Sequence, residues 1–265
     1  MNNVIIVPLY KNELNQFEHI SLKQCFKIFI GRKIIAIKPK SLNLSNITKE
    51  YTFNDVVSFD DEFFIDINGY NKLMLSAIFY EQFLAYHYML IYQTDAFVFT
   101  DQLDFWANSG YDYIGAPWLR PLKNNNIFNR YIFDIKCYIY TKFNVKKNGL
   151  PKGKQLYNKV GNGGFSLRNI SKFHEICIVK RELAERYINL NNPSFNEDIF
   201  WSIEVNRKRL NLKIPNLRLG IKFAFENYPA YALRLNNGEL PFGCHAWEKN
   251  LAFWMSFLKN EGYNV

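Results

Sequence analysis

Cysteine is scarce and scattered: Cys25, Cys137, Cys177 and Cys244 form no CxxC pair in 265 residues. That pattern reads as free thiols in a reducing cytosol, not as a disulfide framework or a zinc site. Long apolar runs are missing too. None reaches the roughly 18 residues that a membrane-spanning helix needs. The opening MNNVIIVPLY has no basic start, and its apolar run extends only from Val4 to Leu9. It does not read as a secretory signal, so the expected location is the cytoplasm. Glycine (13) and proline (9) are too few for collagen, and a hydrophobic content of 48% excludes wholesale disorder. No HExxH, GxSxG, kinase, Walker or Rossmann signature is present.

What the chain does have is aromatic residues and positive charge. Phe, Trp and Tyr make up 17% of it, and a core of this size needs no metal or disulfide to fold. The net charge is +9, and residues 120–160 carry all of it, with ten basic residues against Asp134 alone. Such a local field favours an anionic partner: phospholipid, a diphosphate or nucleic acid. A merely solvated basic loop is the plainer alternative.

Val4 to Val7 is a β-branched run expected as a buried first strand that ends at Pro8. Residues 13–30 have helical apolar spacing, and Lys33–Lys38 reads as a second strand. Strand, helix, strand is the βαβ unit of an α/β fold. Its ligand crevice lies beyond the strand ends, near Pro8, Tyr10 and Lys38. Tyr70–Tyr86 is expected as one helix burying Leu73, Met74, Ala77, Ile78, Phe83 and Leu84, and Tyr88–Tyr92 as a central strand. Residues 170–189 are expected to be helical, and another helix is expected to open at Glu197. Within the basic segment Phe128, Tyr131, Ile132, Ile135, Tyr138, Ile139 and Phe143 fall at helical spacing with Lys and Arg around them.

Four constellations could carry chemistry. Gln93-Thr94-Asp95 follows the central strand, where Asp95 could offer an oxygen to a hard divalent cation or simply cap the next element. Gly161, Gly163 and Gly164 either let a backbone approach a ligand or make a tight turn. Glu197 and Asp198 open a helix, as capping charges or as a general base. His245 is of interest only if it faces Asp95, since imidazole and carboxylate can share one ion. His19, His87 and His174 read as bystanders.

Taken in order, Tyr92–Phe99 (YQTDAFVF), Tyr111–Trp118 (YDYIGAPW), Gly161–Arg168 (GNGGFSLR), Asn196–Phe200 (NEDIF) and Phe242–Trp247 (FGCHAW) form a specific set. The chain resembles, over roughly residues 3 to 254, a bacterial family labelled domain of unknown function 5672. That family is found with capsule and O-antigen genes and is similar to GT-A glycosyltransferases. The resemblance implies an α/β fold: one GT-A-like domain over residues 1–265, with a Rossmann-like nucleotide-binding half, a mixed central sheet and a basic aromatic insertion at about 120–160. It also implies a hexosyltransferase that uses a nucleotide-diphosphate sugar, UDP-linked and with galactose in pyranose or furanose form as the guess, and a saccharide acceptor of surface polysaccharide synthesis.

The same resemblance distributes roles. The Asp-x-Asp motif usual in GT-A enzymes stands here as Gln93-Thr94-Asp95, with only the last acid kept. Asp95 and His245 would then hold Mn²⁺ or Mg²⁺, and Gln93, Thr94, Gly163 and Gly164 would contact the nucleotide sugar. By their place at the strand ends, and not by a family motif, Pro8, Tyr10 and Lys38 would hold base and ribose. Asp198, with Glu197 beside it, matches the catalytic base of inverting members, and Trp118 and Trp247 would stack on an acceptor sugar. A lipid-linked acceptor would bring the basic insertion to an anionic membrane surface, on the inner face of the cell membrane. A nucleic-acid-binding module and a retaining transferase on the same fold are the two alternatives.

Overall fold

A computed structural model of the chain describes residues 2–120 and 127–264. Lys123, one of the ten cations of the basic segment, lies outside the described residues. The strands among the described residues are β1 (Asn3–Pro8), β2 (Lys33–Pro39), β3 (Asp55–Phe59), β4 (Tyr88–Tyr92), β5 (Phe97–Val98), β6 (Tyr113–Ile114), β7 (Lys146–Lys147), β8 (Leu150–Pro151), β9 (Phe165–Asn169), β10 (Ala224–Phe225) and β11 (Gly243–Cys244).

Six of them form a mixed sheet in the order β3-β2-β1-β4-β9-β6. β1 pairs in parallel with both β2 and β4, and β2 with β3. β9 runs antiparallel between β4 and β6. β1 is buried along its whole length because helices cover both faces of the sheet. Val4 and Ile6 therefore point into one core, and Ile5 and Val7 into the other. A second small sheet, β10-β11-β5, stands beyond the end of β4 over a third core built on Phe97, Phe99, Trp247 and Trp254.

The Gln16–Ile28 helix returns the chain from β1 to β2. It starts at a capping box in which the Asn15 side chain accepts from the Glu18 amide at 3.0 Å and Glu18 accepts from the Asn15 amide at 2.7 Å. The expected Tyr70–Tyr86 helix is instead two, Ile67–Met74 and Ala77–Glu81. Ser76 lies between them, where its hydroxyl bonds back to the Leu73 carbonyl at 2.7 Å and competes with the helical ladder. The break turns Ile78 and Leu84, expected in the core, out to solvent. The 170–189 stretch likewise divides into Ile170–Val179 and Arg181–Ile188. Among the described residues no helix is long and apolar enough to cross a membrane.

Candidate active site at the end of the central strand

The chain leaves β4 at Gln93 and turns tightly, with the Ala96 amide bonding to the Gln93 carbonyl at 2.8 Å. Two very short pairings then decide which side chains meet there. β11 runs antiparallel to β5 with Cys244 opposite Phe97, so His245 comes to lie beside Asp95. β10 runs parallel to β11 with Phe225 opposite Cys244, which brings Glu226 alongside His245. The outcome is a row of three. His245 Nε2 is 3.1 Å from Asp95 Oδ1, and His245 Nδ1 is 3.7 Å from Glu226 Oε1. Gln93 Oε1 lies 3.1 Å from the same Nε2.

This row shapes the charges. Burial alone opposes protonation of His245, but Asp95 and Glu226 outweigh it and raise the ring to about 10. Burial in turn pushes the Asp95 carboxyl up, and His245 more than reverses that, leaving it below the usual carboxylate value.

β9 supplies the neighbouring wall. Its pairing of Phe165 with Tyr92 sets Gly164 opposite Gln93, whose amide donates to the Gly164 carbonyl at 2.9 Å. A side chain on Gly164 would collide with the His245 ring and with Gln93 Oε1, and one on Gly163 with Glu197 Oε1. The two glycines thus make room for the protein's own imidazole and carboxylate.

Glu197 and Asp198 open the Glu197–Ser202 helix as expected. Asn71 fixes the start of that helix. Its side chain accepts from the Glu197 amide at 3.0 Å and donates to Asn196 Oδ1 at 3.2 Å. The two acids then part company. Glu197 is 4% exposed, and its Oε1 is bound at 2.9 Å by Arg168, which is fully buried and also bonds Tyr80 and Ser166. Asp198 is only half-buried, with one oxygen accepting from the Ile199 amide. Burial, then Glu197, then Glu226 push its carboxyl well above the usual range.

These groups surround one cavity of about 580 Å³. Of the residues expected at a site, Tyr10, Gln93, Asp95, Gly163, Gly164, Glu197, Asp198 and His245 line it. The others do not. Pro8 is enclosed in the sheet, and the Lys38 ammonium turns back to the carbonyls of Pro39 and Lys40. The Thr94 hydroxyl faces Glu18 at 3.4 Å. Trp118 pairs through its main chain with Asn158 and Lys159, away from the cavity lining. Trp247 is 0% exposed and packed edge-on against Phe17 and Phe97, so its faces are covered and it cannot stack on a sugar. Residues that the sequence reasoning missed are Tyr70, Asn71, Asn162, Asn196 and Lys249. Asn162 sits within the glycine motif. Lys249 follows His245 by four residues, after Ala246 turns the chain in the left-handed region at φ 49°. Tyr70 Oη, Glu197 Oε2 and Glu226 Oε2 are buried at this wall without a hydrogen-bond partner, and His245 Nδ1 has only the 3.7 Å approach of Glu226 Oε1. Polar atoms left this way suit a polar ligand.

Residues 54–245, well over half of the chain, match the family described as protein of unknown function DUF5672. The chain belongs to the DUF5672 family. No curated protein matches it. Solved structures similar to this DUF5672 member include two glycosyltransferases. One is galactosyltransferase LgtC in complex with donor and acceptor sugar analogues, at 14% identity over 91% of this chain and 86% of that one, with a TM-score of 0.53. The other is mouse xyloside xylosyltransferase 1 in its apo form, at 10% identity over 92% and 96%, with a TM-score of 0.51. The likeness establishes a mixed α/β fold of the GT-A glycosyltransferase kind.

The divalent cation implied by that fold can be tested against the donors present. Among the described residues no three of His, Cys, Asp and Glu gather as a metal cage. Asp95 Oδ1, His245 Nε2 and the amide oxygen Gln93 Oε1 do converge, with both distances to Nε2 at 3.1 Å. Both are hydrogen-bond distances, and they set two oxygens and one ring nitrogen side by side as donors that a divalent cation would share. Such ions take few protein ligands and complete their shell with water and substrate phosphate. Glu226 against Nδ1 is the kind of outer partner that orients a metal-binding histidine.

Proposed function

We propose that this DUF5672 protein is an inverting glycosyltransferase. It moves a hexose from a nucleoside-diphosphate sugar, UDP-linked, to a hydroxyl of a saccharide acceptor. The observation that carries the reading is that Asp95, His245 and Gln93 line the same cavity of a GT-A fold as Asp198, whose proton affinity burial and neighbouring carboxylates raise. Asp95, His245 and Gln93 would hold a divalent cation there, and the cation would neutralise charge on the leaving diphosphate. Lys249, which lines the same cavity, adds positive charge from the protein itself.

Asp198 is the base. The acceptor oxygen attacks the anomeric carbon as the bond from that carbon to the diphosphate oxygen breaks. The diphosphate leaves with the electron pair, and the hydroxyl proton passes to Asp198. A carboxyl with proton affinity raised toward neutrality suits this role, because it accepts the proton more readily than an ordinary aspartate. Glu197 does not share the role. Its oxygen is held by Arg168, and it positions the helix start and raises its neighbour's proton affinity. In this reading the acceptor is a lipid-linked saccharide of surface polysaccharide synthesis, galactose is the first donor to try, and the site works at an anionic membrane surface.

The test is Asp198→Asn. Loss of a general base lowers kcat by about 10²- to 10⁴-fold. Donor binding, followed by the rise in melting temperature with UDP, stays. A fully active Asp198→Asn protein would remove the assignment, and product anomeric configuration by NMR separates inversion from retention.

A further inference from the structure

The Ile127–Lys142 helix is packed the wrong way round for a core element. Its inward face is modest. Phe133 stacks on Tyr157 at 5.9 Å, Cys137 is buried, and Thr141 donates to the Gln155 carbonyl at 3.0 Å. Lys154 lies over the rings of Phe133 and Tyr140. The outward face carries Phe128, Tyr131, Ile132, Ile135, Tyr138 and Ile139, three or four residues apart and exposed by 41% to 70%. A contiguous apolar stripe of this kind marks an interaction surface.

The charges around it select the partner. Lys136 and Lys142 on the helix, and Lys146 and Lys147 on β7 just after it, are all exposed. The acid of this segment, Asp134, is 3.1 Å from Arg120. A second copy of the chain would bring the same positive charge against itself. A nucleic acid would satisfy the lysines but gain little from a row of isoleucines. An anionic bilayer satisfies both, since acyl chains receive the isoleucines, tyrosine and phenylalanine rings suit the headgroup boundary, and lysines meet lipid phosphate.

We propose that the outward face of the Ile127–Lys142 helix docks this protein on an anionic lipid surface. This gives a place to the membrane setting named above, but it stands on the helix and not on the transferase reading. The test is flotation of the full chain with vesicles of phosphatidylglycerol and phosphatidylethanolamine, beside pure phosphatidylcholine. The protein should float with the anionic vesicles and not with the neutral ones, and salt should weaken the binding. The double variant Ile135→Glu/Ile139→Glu, at exposed positions, should lower partitioning about tenfold or more while the UDP-dependent melting shift is unchanged. Three results overturn the proposal: no flotation with anionic vesicles, flotation indifferent to the double variant, or a dimer in light scattering that the same variant dissociates. An intact nucleotide response with no flotation overturns docking alone.

Discussion

In the metal-free protein His245 holds its proton between two carboxylates, and a cation on Nε2 would displace that proton. Its folded value of about 10 lies above the ordinary value of about 6.5. The stabilisation it brings is therefore full below about pH 6.5 and drains away as pH rises toward 10. Asp95→Asn should lower the His245 titration midpoint, followed by NMR, and flatten the loss of stability over that window. An unchanged midpoint would show that Asp95 does not hold the ring charged. For Asp198 the sign runs the other way in activity. Only the unprotonated carboxyl accepts a proton, so kcat should rise with pH to a midpoint above the ordinary aspartate range. A rate already flat at mildly acidic pH would mean that the base is not this carboxyl. Gly164→Ala forces His245 and Gln93 aside, and a shift of about 1 Å can lower the rate on the order of a hundredfold. Full activity in that variant would contradict the packing.

At the scale of elements, two devices hold the site. One is the buried ion pair between β9 and the Glu197–Ser202 helix, Arg168 to Glu197. Removing one partner of such a pair leaves a buried charge and costs about 3–5 kcal/mol. Arg168→Met should show that loss in urea denaturation, and a variant as stable as the parent would mean that Glu197 finds water instead. The other device is the pair of two-residue ladders that bring β5, β10 and β11 together. The difference in legibility lies here. β1, β2 and β4 could be read because each carries a short continuous apolar run, buried on both faces of the sheet. β10 and β11 could not, since two residues carry no period, and the pairing of β11 with β5 joins Gly243 to Val98, far apart in sequence. The closeness of Asp95 and His245 was thus reached through the family's motif order and not through periodicity. Trp247 was misplaced for a related reason. An aromatic beside a histidine looks like a sugar platform until the third core, which fills around it, is seen. The Tyr70–Tyr86 stretch kept its apolar spacing across the break at Ser76, so no periodic signal announced the break.

At the scale of the whole molecule, β4 ends at the cavity, the small β10-β11-β5 sheet brings His245 to it, and the Glu197–Ser202 helix supplies a carboxyl to its lining. The central claim is that this cavity binds a nucleoside diphosphate together with a divalent cation. The measurement that bears on it most directly is the melting temperature of the full chain with UDP, GDP and other nucleoside diphosphates, with and without Mn²⁺, in the wild type and in Asp95→Ala. A ligand at about a hundred times its Kd stabilises the native state by about 2.7 kcal/mol, a shift of several degrees for a chain of this size. The account predicts a shift with one diphosphate, UDP first, that grows with Mn²⁺ and disappears in Asp95→Ala. A melting temperature that no nucleotide moves, with or without the ion, or a shift that survives Asp95→Ala, would contradict it.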